Sequence, residues 1–213
     1  MGKAIWGTSG GFQGKNGANI GRWVEGQNQV GPLPHPSQKP ATTGQISSRA
    51  KFTFLTSFVN RIAPLVKTGL AFVLKPRQSA VNAAFEDNYA NVTGVYPAFT
   101  MNYPGFLFSK GLLSVPASPE VEAAVAAQVE FNWLASFNEG YGAATDTISV
   151  MIYNPAKDQF VFKTAAALRS ALTYTLMVPA DFSGDLVHCY VSAVAADGER
   201  VSNSYYTASV TVM

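Results

Sequence analysis

The chain has 213 residues, 47% of them hydrophobic, which suffices for a real core in one generous domain or two small ones and excludes disorder throughout. Only 13% are charged, about half the share usual in soluble globular proteins. The net charge of +2 conceals a division: residues 1–77 hold ten Lys/Arg against Glu25 alone, net +9, while the remainder, with five basic and twelve acidic residues, carries −7.

A chain so divided can bind polyanions with its first third, meet the acidic part of a neighbouring copy head to tail, or neutralise itself within one fold. The sparse charge fits either a surface that meets other protein or a monomer kept in solution by Ser, Thr, Asn and Gln. Cys189 is the single cysteine, so no internal disulfide framework exists. The first residues, MGKAIWGTSGGFQGKNG, carry no apolar signal-peptide core, and no run approaches the roughly 18 apolar residues of a membrane span. The expectation is a protein made in the cytoplasm, with no membrane span, that reaches the outside, if at all, by release of an assembly such as a virion or other particle or by a route the sequence does not mark.

Residues 1–44 contain ten glycines, with Pro32, Pro34, Pro36 and Pro40 in quick succession. A segment so rich in both cannot nucleate its own core. Ile5, Trp6, Phe12, Ile20, Trp23 and Val24 are nevertheless too apolar for a pure linker. The arm is therefore expected to lie on something, either its own body as short glycine-broken strands or a neighbouring subunit.

Residues 45–66 keep helical time. Ile46, Ala50, Phe54, Phe58 and Ile62 recur every fourth position with Leu55, Val59 and Val66 beside them, opposite Arg49, Lys51, Thr53, Ser57, Asn60 and Arg61. Pro64 should end or kink this helix. Ser79 is a good N-cap for a second helix over 80–92, with Val81, Ala84, Phe85 and Asn88 on one face and Gly94 ending it.

From Tyr96 the period changes to two. Strands are predicted over 96–103 and 106–113 around Pro104-Gly105, and over 120–134, where Val121, Ala123, Val125, Ala127, Val129, Phe131 and Trp133 fill every odd position. Further strands follow at 147–153, 159–163, 172–178, 186–195 and 200–212, with turns at Asn154-Pro155 and Asp197-Gly198. About seven short strands at such spacing make an antiparallel immunoglobulin-like or fibronectin-III-like sandwich, with Trp133 as core aromatic. The fold class is thus mainly β, the sandwich (95–213) preceded by a Gly/Pro-rich basic arm (1–44) and a helical hairpin (45–94).

The succession GGFQGKNGANIGRWVEG, SSRAKFTFLTSFVNRIAP, SAVNAAFEDNYANVTGVYPAF, DTISVMIYNPAKDQFVF and PADFSGDLVHCYVSAVAADGERVSNSYY resembles a family of roughly 200-residue proteins of unknown function found mainly in Bacteroidota. The resemblance spans nearly the whole chain. It implies a glycine-rich start, a helical middle and a sandwich-like end, and brings no catalytic residues with it. The family's Asn-Pro-Arg-Thr-like turn before the helix stands here as Lys39-Pro40-Ala41-Thr42.

Motifs for chemistry fail on context. Gly7-Thr8-Ser9-Gly10-Gly11 has the letters of a nucleophile elbow without a strand before it or a helix after it. Ser9 to Asn16 approaches a phosphate-binding loop but lacks its first glycine and its final hydroxyl. His188 and Cys189 are adjacent on a strand and so point to opposite faces, which bars a shared metal. His35 sits among prolines. Glu120, Glu122, Glu130, Asp181 and Asp185 read as solvating and turn-forming charges, the last two being where oxygen ligands of a weak calcium site would come from. No catalytic residue, metal or cofactor is expected.

The candidate contact residues are therefore Lys3, Trp6, Phe12, Lys15, Arg22, Trp23 and Lys39 on the arm, with Arg49, Lys51 and Arg61 on the helix. Three functions fit them. The first is a non-enzymatic self-assembling structural protein, such as a phage virion or phage-derived particle component, whose partners are copies of itself. The second is an intracellular binding module that meets nucleic acid through arm cations and stacking aromatics. The third is a surface filament or adhesin subunit.

Overall fold

A computed structural model describes residues 3–4, 10–24, 26–35, 39–136 and 142–213. The chain forms two compact units, Met1–Thr42 and Thr43–Met213.

The first unit is a meander of four antiparallel strands in sequential order: β1 (Lys3–Ala4), β2 (Phe12–Asn16), β3 (Asn19–Val24) and β4 (Gln27–Pro32). Its tight turns use the glycines where the backbone requires them, Gly17 at φ +56° and Gly26 at φ +80°. Phe12 lies across β3, where a side chain on Gly21 would collide with the Phe12 carbonyl oxygen and ring. The amide of Asn28 on β4 donates to the Phe12 carbonyl at 2.8 Å. Gly21 is the only buried residue among the described members of this unit, so its described residues build no apolar core, consistent with the composition.

In the second unit, α1 (Thr43–Arg61), α2 (Ala63–Gly69) and α3 (Ala80–Asn88) are followed by a hairpin of β5 (Val92–Val95) and β6 (Ala98–Met101). Pro64 sits in the first turn of α2, where its missing N–H costs nothing, so the break comes at Ile62. Ser79 caps α3, its hydroxyl accepting from the Asn82 backbone N–H at 3.2 Å. The apolar stripe of α1 sinks progressively: Ile46 is exposed, Ala50 and Phe54 are half-buried, and Phe58 and Ile62 are in the core.

The remaining strands are β7 (Ala117–Glu122), β8 (Gln128–Leu134), β9 (Thr147–Asn154), β10 (Gln159–Leu168), β11 (Thr173–Met177), β12 (Leu186–Val194) and β13 (Tyr205–Thr211). They make two antiparallel sheets, β7-β8-β11 and β10-β9-β12-β13. This is an immunoglobulin-like, fibronectin-III-like sandwich. Its core holds Val129, Phe131, Trp133, Ile148, Val150, Ile152, Cys189 and Val191. Trp133 is buried as expected, its indole N–H donating to the Arg169 carbonyl at 2.8 Å.

The helices cover the outer face of the four-stranded sheet. Met151 and Tyr153 of β9 and Tyr190 of β12 share a second core with Leu55, Phe58, Val59, Ile62 and Leu65. Phe58 is its pivot, with ring centroids 5.0 Å from Phe106, 4.9 Å from Tyr153 and 4.8 Å from Phe160. The central strand β9 is accordingly buried from Ile148 to Asn154 on both faces.

Three expected elements need correction. Residues 120–134 are not one strand: β7 and β8 pair around a turn in which Ala127 has φ +56° and Val125 is 56% exposed. The turn preserves parity, so alternation runs through it unbroken. Residues 106–113 form no strand. They run as an irregular segment fastened by side chains, as where the Ser204 hydroxyl accepts from the Phe108 N–H at 3.1 Å. Gly94 does not close a helix. It lies in β5 at φ +88°, and the strand expected over 96–103 is the β5–β6 turn, the four residues of β6, and Asn102 and Tyr103 leading into a 3-10 turn over Tyr103–Gly105.

Candidate interaction surfaces

Register assigns each candidate on the first sheet to a face. Gly14 pairs with Gly21 and Lys15 with Ile20, while Gly21 pairs with Val30, Arg22 with Gln29 and Trp23 with Asn28. Cross-strand partners share a face and alternate residues share it too. One face therefore carries Gln13, Lys15, Ile20, Arg22 and Gln29, and the other carries Phe12, Trp23 and Val30. Lys15 and Arg22 are exposed, Trp23 is 39% exposed and Val30 53%.

Basic and aromatic candidates thus lie on opposite sides of one sheet. A single strand of nucleic acid could not stack on Phe12 and Trp23 while its phosphates met Lys15 and Arg22 on one surface. Lys3 pairs with Gln13 in β1, Lys39 is exposed on the segment before α1, and Trp6 and Ser9 lie outside the described residues.

The three helical candidates have different surroundings. Arg49 is exposed. The Lys51 ammonium stands 4.2 Å from the centre of the Tyr89 ring, tying α1 to the end of α3. Arg61 pairs with Asp158 at 2.6 Å and also donates to that residue's carbonyl, so it pins α1 to the β9–β10 turn. The bonded guanidinium holds the Asp158 carboxyl below its ordinary range, and Tyr153 donates to the same carboxylate at 2.9 Å. Arg61 thus serves the fold.

Part of the charge division is neutralised in the same way. Besides Arg61–Asp158, the ion pairs Lys75–Glu86 at 2.6 Å and Lys110–Asp87 at 3.1 Å use up helical-layer charges. Arg169 is 1% exposed and joins Asp146 at 3.2 Å while donating to the Ser114 carbonyl at 2.7 Å. It knits the end of the sandwich.

An acidic surface remains on the outer face of the three-stranded sheet. Val121, Val129 and Phe131 point into the sandwich, so Glu120, Glu122 and Glu130 point out. Glu122 and Glu130 are directly opposite one another across β7 and β8, an arrangement that like charges disfavour. Thr173 donates to Glu130 at 3.0 Å. None of the ion pairs among the described residues involves these three glutamates. Met177 and Leu134, on the same outer face by strand alternation, are 62% and 63% exposed. In the sequence these glutamates have the pattern of solvating charge; what distinguishes them is the Glu122–Glu130 pairing, which exists only in the β7–β8 hairpin.

Other chemistry has little to stand on among the described residues. No group of three or more His, Cys, Asp and Glu side chains converges on a point. The Asp185 carboxylate accepts from Lys157 and Asn154, both at 2.8 Å. Cys189 is fully buried and its thiol is pushed up to about 12 by burial. Between α1 and α3 an open apolar groove of about 400 Å³ is lined by Phe52, Thr56, Val81, Asn82 and Phe85. No helix among the described residues is long and apolar enough to cross a membrane.

The architecture is that of a fibronectin-III-like sandwich with a helical layer on one sheet, preceded in the chain by a small four-stranded sheet. Residues 11–208 match a family described as of unknown function (DUF6266), and the chain belongs to that family. No curated protein matches it. Among solved structures it is similar to the FN1-FN3 domains of chicken CNTN1, at 13% identity and a TM-score of 0.33 over 49% of this chain and 33% of that one. It is likewise similar to the fibronectin-III domain of human collagen alpha-1(XX), at 15% identity and a TM-score of 0.33 over 47% of this chain and 85% of the other. The chain thus spans a third of the CNTN1 structure's length. At such scores the likeness is loose, and the sandwich is recognised by its own strand order.

Proposed function

We propose that the protein is a non-enzymatic subunit of a homo-oligomeric particle, a virion or a comparable assembly, and that the Met1–Thr42 sheet is the part that grips another copy. One observation carries this reading: a four-stranded sheet that buries only Gly21 among its described residues. Units of about 40 residues hold their shape through disulfides, metals or a partner, and this unit contains no cysteine. Exposed Trp23 and Val30 on one face and Lys15 and Arg22 on the other give it two surfaces to cover. The low charge content fits a surface that is covered in an assembly.

Size-exclusion chromatography with light scattering on the full chain tests this. The expected result is a mass several times 22.7 kDa that rises with protein concentration. A strict 22.7 kDa species at the highest attainable concentration overturns it.

A further inference from the structure

The basic face of the first sheet and the acidic outer face of the sandwich are complementary in sign, in layout and in composition. Lys15 and Arg22 stand on adjacent strands, Arg22 two residues along β3 from Ile20, the cross-strand partner of Lys15. Such diagonal neighbours are about 7–8 Å apart or somewhat less between side-chain roots. On the sandwich, Glu122 and Glu130 stand on adjacent strands as direct partners, with Glu120 two residues further along β7. The diagonal pair Glu120 and Glu130 has the same spacing as the two cations, with Glu122 directly opposite Glu130 beside it. The same faces carry Ile20, Gln13 and Gln29 on the first sheet and Met177, Leu134, Gln128 and Thr175 on the sandwich, groups able to supply apolar contact and amide hydrogen bonds at the rims. Lys15, Arg22, Glu120, Glu122 and Glu130 are each exposed.

Resting on the assembly reading above, we propose that Lys15 and Arg22 of one copy dock on Glu120, Glu122 and Glu130 of a second copy. The partner's cations then relieve the repulsion between Glu122 and Glu130 that the isolated chain leaves standing. Because the two patches are different surfaces of the same chain, the contact is heterologous. Repeated, it closes into a ring or extends as a filament, and it leaves the aromatic face of the first sheet for other contacts. Exposed ion pairs weaken as salt screens them, so the association should fall between low salt and about 0.5 M.

The test is a charge swap on the full chain. K15E/R22E has acidic patches on both surfaces, and E122K/E130K has basic ones. Each is expected to run alone at 22.7 kDa where the wild type runs as a multimer, and an equimolar mixture should regain the multimer, because every unlike pair of patches is then restored across copies. Recovery in the mixture also proves that both variants are folded, and circular dichroism of each alone checks the same point. If either variant keeps the wild-type mass, or if the mixture stays at 22.7 kDa with both variants folded, the proposed contact is wrong and assembly through another surface still stands. A wild type that is itself monomeric removes both readings.

Discussion

Arg61, in the last turn of α1, reaches across to the β9–β10 turn and holds the Asp158 carboxylate at 2.6 Å. Ninety-seven residues separate the two in the chain, so the pair records the docking of the helical layer on the sheet. Both side chains are more than a third exposed, at 38% and 57%. Solvent therefore limits the pair to about 0.2–1 kcal/mol.

Asp158 is held below its ordinary pKa chiefly by the hydrogen bond from Arg61. A carboxyl lowered in the fold contributes stability that is present above its unfolded value, near pH 4, and is lost as pH falls through the folded value. The wild type should therefore lose its advantage over D158N below about pH 4. Parallel thermal melts at pH 7 and pH 3 check this, and a constant gap between the two proteins would count against the pairing.

His188 shows the opposite chemistry with the same direction. It stacks on Tyr103 at 3.9 Å between ring centres, its Nδ1 lies 3.0 Å from the Tyr206 hydroxyl, and burial lowers its pKa. The fold thus favours neutral imidazole, while the unfolded chain takes up a proton near pH 6.5. Stability should decline as pH drops from about 6.5 toward the folded value, and H188Q should flatten that part of the curve. Urea midpoints between pH 7.5 and 5 measure it.

Phe58 packs on the rings of Phe106, Tyr153 and Phe160 at the junction of helices and sheet and is 3% exposed. Phe58→Ala should cost about 3–5 kcal/mol through lost transfer energy and the cavity left behind. Substituting the exposed Phe52, which is 55% accessible, should cost far less. Equilibrium urea unfolding compares the two, and equal effects would contradict the assigned packing.

Asn88 is fully buried. Its amide donates to the carbonyls of Ala84 at 2.8 Å and Leu107 at 2.6 Å, and its oxygen accepts from the Leu107 N–H at 2.8 Å. Asn88→Leu keeps the volume and strands the Leu107 backbone groups, which should cost about 2–3 kcal/mol. Hydrogen exchange at Leu107 should rise with it; protection unchanged from wild type would refute the role.

Local rules made much of this molecule legible. Helical period, Pro64 and Ser79 place α1, its break and the start of α3, because helix ends depend on residues only a turn away. The sandwich and its buried Trp133 follow from alternation and turn residues. The run Thr147 to Tyr153 carried a further signal, apolar residues at both parities, which marks a strand covered on two faces. That signal alone would not have named the helices as the second cover.

What the linear chain could not decide was which surfaces meet. Alternation is blind to a turn that keeps parity, so the β7–β8 hairpin and the Glu122–Glu130 confrontation emerge only from register. The grouping of Lys15 with Arg22, and their separation from Phe12 and Trp23, is likewise a matter of cross-strand pairing. Composition set the kinds of surface available, since periodicity and capping act between near neighbours. Pairing between distant segments set which charges stand together, and only the folded chain carries that information.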